Sequence, residues 1–505
     1  MAHLENSKFI IKNSLKITFA GFPDAKILEN ETSNKWVQHL LFGDRIVILD
    51  TEIVNERVRV SCRNKVGWIP VDKIQQNQIL EVNFVDIGQG DGCHMVTPDD
   101  EHYLIDAGKG DNMFRYLYWR FNLDENDNLP MQFKAVVSHP DNDHYLGFAD
   151  IFDNPVIQFD KIYHNGIVHR PVDHTKGWNT QLGKVEELSD GKEYLLSLEL
   201  TDNAIKSILN DPNNSSGTGS QYPKTMAKVL SQPNQPEFVA LNDQTGFLLG
   251  NGGDNEFTLE IVAPILDQQD GKTVLPYLDG NNGKTKNGHS VLLMVKYKKL
   301  RVMLGGDINE EAGEYINAKL GANASSVLQA DIAKACHHGS HLFSYEFLEN
   351  INALGTVISS GDDENYSHPR PDTLGAIGRT GFSKKPLIFS TELARSNKDF
   401  TSATIPELVK KYQKWEEAEN AYADFLENFV DTSANQQVLA QLKEDKIKKY
   451  KEINSYLTRY GMISLRSDGD KMVMAQKLER DARSGKYDIY KFEFDAGAQR
   501  FIRMD

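Results

Sequence analysis

A chain of 505 residues is too long for a single core and implies two or three domains, and 40% hydrophobic with 25% charged residues is an ordinary globular composition. A net charge of −16 disfavours broad, non-specific nucleic-acid binding, although it leaves room for a local basic groove. No apolar run is long enough to span a bilayer and no secretory signal opens the chain; its three scattered cysteines make neither a disulfide frame nor a CxxC zinc clamp, so a reducing cytoplasm is the expected compartment.

Residues 14–75 read as a small all-β unit. Alternating pieces such as Arg45-Ile46-Val47-Ile48-Leu49 and Arg57-Val58-Arg59-Val60-Ser61 are separated by polar turns. Residues 57–74, with Lys65-Val66-Gly67-Trp68-Ile69-Pro70, resemble the closing strands of a bacterial SH3-like barrel. Such barrels bind peptides or cell-wall fragments, or pack against a catalytic neighbour. Packing is the preferred reading, with Trp68 in the core.

From residue 79 the pattern changes. Residues 80–87 alternate as a strand, Gly88-Gln89-Gly90-Asp91-Gly92 breaks it, and further strands follow at 93–97 and 103–106. Apolar residues at helical spacing occupy 112–121, and the apolar run 133–137 reads as a buried strand. Directly after it come four potential metal ligands within six positions: His139, Asp141, Asp143 and His144. Side chains two apart on an extended chain lie on one side, so such ligands can point at one locus. Two carboxylates beside two imidazoles are unfavourable unless a cation binds or water solvates them.

Three blocks then stand in a telling order: Phe84-Val85-Asp86-Ile87-Gly88-Gln89-Gly90-Asp91-Gly92, Leu104-Ile105-Asp106-Ala107-Gly108, and Ser138-His139-Pro140-Asp141-Asn142-Asp143-His144. Met303-Leu304-Gly305-Gly306-Asp307, Ala335-Cys336-His337-His338-Gly339-Ser340 and Tyr366-Ser367-His368-Pro369 follow. Together they resemble the metallo-β-lactamase superfamily, and within it the hydrolase domain of the ComEC-like DNA-uptake proteins. The resemblance implies an α/β fold, an αββα sandwich over residues 79–400 completed by strands in 461–505. It also implies a two-metal phosphodiesterase or nuclease acting on DNA. Carried over residue by residue, one ion takes His139, Asp141 and His289. The other takes Asp143, His144 and one of His337 or His338, with His337 preferred and Asp307 bridging. Asp143 and Asp307 would be indispensable to catalysis, Asp106 would orient a ligand, and His338, Gly339 and Ser340 would meet a phosphate. His368 would clamp phosphate or protonate the leaving group. His289 departs from the ComEC-like branch and matches the wider superfamily, where a Gly-His precedes the bridging aspartate by one hairpin. Asp141 in place of a histidine makes the first site oxygen-rich, so the expected cofactors are two divalent ions, Mn2+ first, Zn2+ next, Mg2+ less so.

Between 155 and 283 the family pattern fades. Residues 211–220 read as a polar loop, a mobile lid or a disordered insert, and His164, His169 and His174 as surface residues. Residues 401–460 are rich in Lys, Glu, Ala, Leu and Gln and read as two or more helices broken near 431–435, inserted before the final strands. This insertion, or the SH3-like unit, is a candidate surface for a homodimer or a protein partner. Three alternatives remain to the DNA reading: hydrolysis of a small phosphodiester such as a cyclic nucleotide, hydrolysis of another ester or amide, or a catalytically dead binding protein.

Overall fold

The computed structural model describes residues 2–504 apart from 64, 122, 124–129, 251–255, 362–366, 393–395, 398–403, 460–461 and 478–486, so Tyr366 and Gly461 lie outside the described residues. The described chain is mixed α/β, with an all-β region at the N-terminus, two large sheets, and helices packed on them. No described helix is long and apolar enough to cross a membrane.

In the N-terminal region, alternate residues of an eight-stranded sheet point inward, and Ile27, Leu40, Ile46, Val58, Val60 and Ile69 close its core. Ile69 is fully buried while Trp68 is only half-buried, so the core position belongs to the neighbour of the expected residue. The region is packed onto the first large sheet. Phe42 is buried against Ile79 and Val473, and Leu41 against Ala475 and Tyr487.

The first large sheet begins with β1 (Leu80–Val85), β2 (Gly92–Val96) and β3 (His102–Ala107), which pair antiparallel. After helix α1 (Asn112–Phe121) come β4 (Met131–Val137), the single turn α2 (Asn142–Tyr145), β5 (Ile157–His164) and β6 (Glu237–Ala240), and β3 to β6 pair parallel. The second sheet takes its strands in chain order: β7 (Phe247–Leu249), β8 (Phe257–Ala263), β9 (Leu292–Tyr297), β10 (Leu300–Leu304), β11 (Ile332–Lys334), β12 (Gly355–Ile358) and β13 (Leu387–Ser390). From β10 onward the pairing is parallel. Two long helices, α3 (Thr404–Glu427) and α4 (Ser433–Leu457), come next, and the short pairing of Ser396–Asn397 with Thr458–Arg459 closes their foot. The chain then returns to the first sheet as β14 (Met462–Ser467), β15 (Lys471–Lys477), β16 (Tyr487–Asp495) and β17 (Arg500–Arg503), with β14 antiparallel to β1.

One apolar core lies between the two sheets. Leu80, Val82 and Phe84 of β1 meet residues such as Leu293, Val295 and Val302 across it. The outer face of the first sheet packs on Met113, Tyr116 and Leu117 of α1, and that of the second on helical residues such as Ala312, Ile316 and Phe347. The polar positions in the alternation of β1 do not face water. Glu81 and Asn83 are buried, with Arg120 and Arg466 each 3.0 Å from Glu81. Burial opposes ionisation of Glu81, yet these two guanidiniums hold its carboxyl far below the usual range.

Residues 211–220 contain a folded turn. Asp211 caps a 3-10 turn through the Asn213 N–H, and the buried Asn214 donates to the Ile208 carbonyl at 3.1 Å. A polar composition there reflects caps, which satisfy backbone groups in a folded turn.

His164, expected at the surface, is buried at the end of β5, where its Nδ1 accepts the Gly166 N–H at 3.1 Å. Burial pushes its pKa down to about 4. In the unfolded chain it titrates near its ordinary value of about 6.5. As pH falls between these values the unfolded state gains a proton that the folded state refuses. This residue should therefore cost about 1.4 kcal/mol of stability per pH unit in that window. Urea midpoints between pH 7 and 4.5 should fall less steeply for His164→Asn, which keeps an acceptor and cannot charge.

Candidate metal centre

The chemistry-bearing side chains collect where strands of both sheets end. His139 follows β4 directly and Asp143 and His144 lie on α2, whose N-cap is Asp141. Asp307 follows β10 and His338 follows β11. Asp91 comes from the glycine-rich break between β1 and β2. That break can lie close only because Gly90 has φ +103° and no Cβ, since a Cβ there would sit 1.7 Å from the Asp143 carbonyl oxygen.

Asp307 is the hub. Its Oδ2 lies 3.2 Å from His144 Nε2 and 3.1 Å from His338 Nε2. Asp143 approaches His338 Nε2 at 3.7 Å, and Asp91 approaches His338 Nδ1 at 3.2 Å. Four sets, His139/His144/Asp307, Asp143/His144/His338, Asp91/Asp106/His144 and Asp91/Asp307/His338, each bring one ligand atom per residue within 4.8 Å of the others.

The outer nitrogen of each central imidazole is already committed. His144 Nδ1 bonds Asp106 Oδ2 at 2.8 Å, and His338 Nδ1 bonds the Ser359 carbonyl at 3.1 Å. Asp106 also accepts the Ser138 N–H at 2.7 Å and hydroxyl at 2.6 Å. Both Nε2 atoms therefore face the centre, the arrangement in which a histidine ligates a metal while a partner fixes its tautomer. The two Nε2 atoms, Asp91 Oδ1 and Asp307 Oδ1 are buried without a well-directed hydrogen bond, although ion-pair contacts of 3.1–3.2 Å reach the first three. Buried polar atoms so poorly served are costly, and a divalent cation is a partner that the Nε2 atoms and Asp307 could share. The residues fit the group.

Electrostatics agree with a site built around shared charge. Burial alone would lower both imidazoles. The Asp307 and Asp106 carboxylates nonetheless raise His144 well above its ordinary value, and Asp307 and Asp91 push His338 up to about 10. Burial works against Asp307 as an anion, but His144 and His338 hold it well below the carboxylate range. A bound cation would take the place of these protons.

Other expected residues sit elsewhere. Asp141 caps α2 through the Asn142 N–H at 2.8 Å and pairs with Lys286 at 2.9 Å, outside all four sets. His289 turns away and bonds the Pro276 carbonyl at 2.8 Å. Its neighbour Ser290 reaches in instead, with Oγ 3.1 Å from His139 Nδ1 and accepting the Asp307 N–H at 3.0 Å. Of the paired histidines, His338 joins the cluster and His337 does not, because both adopt positive φ and the backbone curls between them. His337 instead stands beside His368, ring centroids 5.8 Å apart, and His368 also faces the His338 ring at 6.3 Å. The Ser340 N–H is spent on the His337 carbonyl at 2.8 Å, and its buried hydroxyl accepts the Leu342 N–H.

Two participants escaped the sequence reading: Asp91 and Lys334. Lys334 is buried on β11, forms an ion pair with Asp91, donates to the Gly306 carbonyl at 2.8 Å and lies 3.6 Å from Asp307. Burial opposes its charge, but Asp91 and Asp307 raise its pKa. A lone lysine in the apolar run Ile332-Ala333-Lys334-Ala335 was the available signal.

No family model matches the chain. Over 96 residues, 19% of its length, it is 27% identical to ComE operon protein 3 of Bacillus subtilis (strain 168), and the match spans 12% of that protein. The similarity is therefore partial and distant.

Asp106→Ala should weaken Mn2+ binding about 10–100-fold by freeing His144, whereas His289→Gln should leave it unchanged, both read by titration calorimetry. Lys334→Met strands a buried carboxylate and should cost about 3–5 kcal/mol in urea unfolding of the metal-free protein.

Proposed function

We propose that this protein is a metal-dependent phosphodiesterase of metallo-β-lactamase type, a nuclease whose substrate is DNA. The observation that carries the reading is the convergence of His139, Asp143, His144, Asp307, His338 and Asp91 at one edge, with four of their ligand atoms buried and lacking a well-directed hydrogen bond. Two sheets over a shared core with helices outside, and the ordered blocks that resemble the ComEC-like branch, support it.

His139, His144 and Asp307 would hold one ion, and Asp91, Asp143 and His338, sharing Asp307, the other. Three imidazoles and three carboxylates without a thiolate suit Mn2+ or Zn2+, and the oxygen share favours Mn2+. Such ions supply Lewis acidity, lowering the pKa of water and offsetting charge that builds on a phosphoryl group. The protein's own part is to fix the donors and to handle the leaving group. Asp106 and the Ser359 carbonyl orient the two central imidazoles, Lys334 keeps Asp91 ionised, and His368, at the edge of the cluster, donates a proton to the departing oxygen. The acidic net charge of −16 favours a second reading, cleavage of a small phosphodiester such as a cyclic dinucleotide.

Metal-stripped protein incubated with single- and double-stranded DNA, RNA and cyclic dinucleotides should cut DNA when Mn2+ is restored, and Asp143→Ala should be inactive. Cutting of dinucleotides alone would select the second reading. His368→Ala should lower kcat about 100-fold on DNA yet cost little on a p-nitrophenyl phosphodiester, whose leaving group needs no proton.

A further inference from the structure

We propose that α3 and α4 form an arm that pairs, antiparallel, with the same arm of a second copy of this chain. The inference is independent of the reaction assigned above.

The two helices pack on each other through one heptad seam. On α3 it runs through Leu408, Lys411, Trp415, Ala418, Tyr422 and Phe425, and on α4 through Leu439, Leu442, Lys446, Lys449 and Ile453. The spacing alternates three and four, as in a coiled coil. The Trp415–Tyr450 ring contact and the 2.6 Å pair between Lys446 and Glu419 fix the register. Yet among the described residues of the pair only Ala418 and Ile453 are buried, because two helices cannot cover their own seam.

α3 carries a second stripe at the same spacing, 405, 409, 412, 416, 419, 423 and 426, and Val430 follows just past the helix end. Ile405, Val409, Tyr412, Leu426 and Val430 on it are exposed, Val430 by 63%, and Ala423 is exposed between them. The glutamates at its middle do not spoil it entirely, since Glu419 is paired with Lys446. On α4, Ile447 and Tyr450 are exposed at the matching positions. In an antiparallel pair these positions flank the seam on one side, so both helices present a single apolar face. A helix with two heptad stripes is built to touch helices on two sides.

Charge selects the occupant. The outer half of the arm, residues 416–445, holds eight acidic residues and one lysine, while the inner half, 404–415 with 446–457, holds seven lysines and two glutamates. A second arm laid antiparallel sets acidic tip against basic base at both ends. A parallel one opposes like charges, and a polyanion would account for the base alone. The stripe itself is symmetric about its midpoint, so reversal brings Tyr412 opposite Ala423 and Val409 opposite Leu426, and sets Glu416 opposite a Glu419 already paired with Lys446. At 1.5 Å per residue the face is about 36 Å long and, two helices wide, offers roughly 700 Å² per copy, near the roughly 800 Å² of a stable interface.

Sedimentation velocity on the full chain at micromolar concentration should show a dimer. Tyr412→Glu with Leu426→Glu should raise its Kd at least about thirtyfold while leaving helical circular dichroism and metal content unchanged. When copies carrying Val409→Cys are mixed with copies carrying Leu426→Cys, thiol crosslinking and peptide mapping should join 409 to 426. A monomer throughout, a dimer indifferent to the two substitutions, association only when an oligonucleotide is present, or crosslinks confined to like positions would each overturn the proposal.

Discussion

Everything at the candidate site turns on Asp307, a buried carboxylate flanked by two imidazoles, His144 from the first sheet and His338 from the second. An anion taken out of water must be repaid locally, and few surroundings can do so without distortion. Here the surroundings are strand ends, the stiffest places from which a side chain can project. Asp91 and Lys334 add one more negative and one more positive group to the same pocket. The centre is thus a junction between sheets as well as a set of donors: the positions of β4, β10 and β11 relative to one another decide whether the donors meet.

Support extends outward in layers. Asp106, itself at φ +55°, holds His144 and the start of the loop after β4 through Ser138, and Ser290 ties His139 to the Asp307 backbone. On the far side of β1, Glu81 binds Arg120 of α1 and Arg466 of β14, and Arg466 also approaches Asp44 of the N-terminal region at 3.9 Å. The N-terminal region therefore shares buried charge and apolar contacts with the first sheet.

Much of this was legible in the residues. Alternation marked β1 and β3, a continuous apolar run marked β4, and the crowding of His139, Asp143 and His144 after it marked a site, because those features are local. What escaped was long-range or a matter of direction. Periodicity could not say that Ser290 rather than His289 faces inward, since a strand-end turn rotates neighbours to opposite sides. Nor could it choose His338 over His337, where two successive residues at positive φ break any regular pattern. Asp91 was hidden in a glycine-rich break that read as a turn, and Lys334 in a strand whose apolar neighbours masked it. Asp141 had a competing task that composition does not show, capping α2 and pairing with Lys286.

The return of β14 beside β1 has a consequence for synthesis. Leu80 is paired with Ser467, so while the polypeptide is being made, one edge of the first sheet waits open until nearly the whole chain has emerged. An apolar strand in that condition is exposed to wrong partners. The two helices made just before β14 ease the problem: a hairpin forms from neighbouring residues alone, and its closed foot delivers the late strand close to where the earlier part of the molecule ended. The gap to be bridged then shrinks from a long stretch of loose chain to a few residues, and the edge can be sealed as soon as its last neighbour is made.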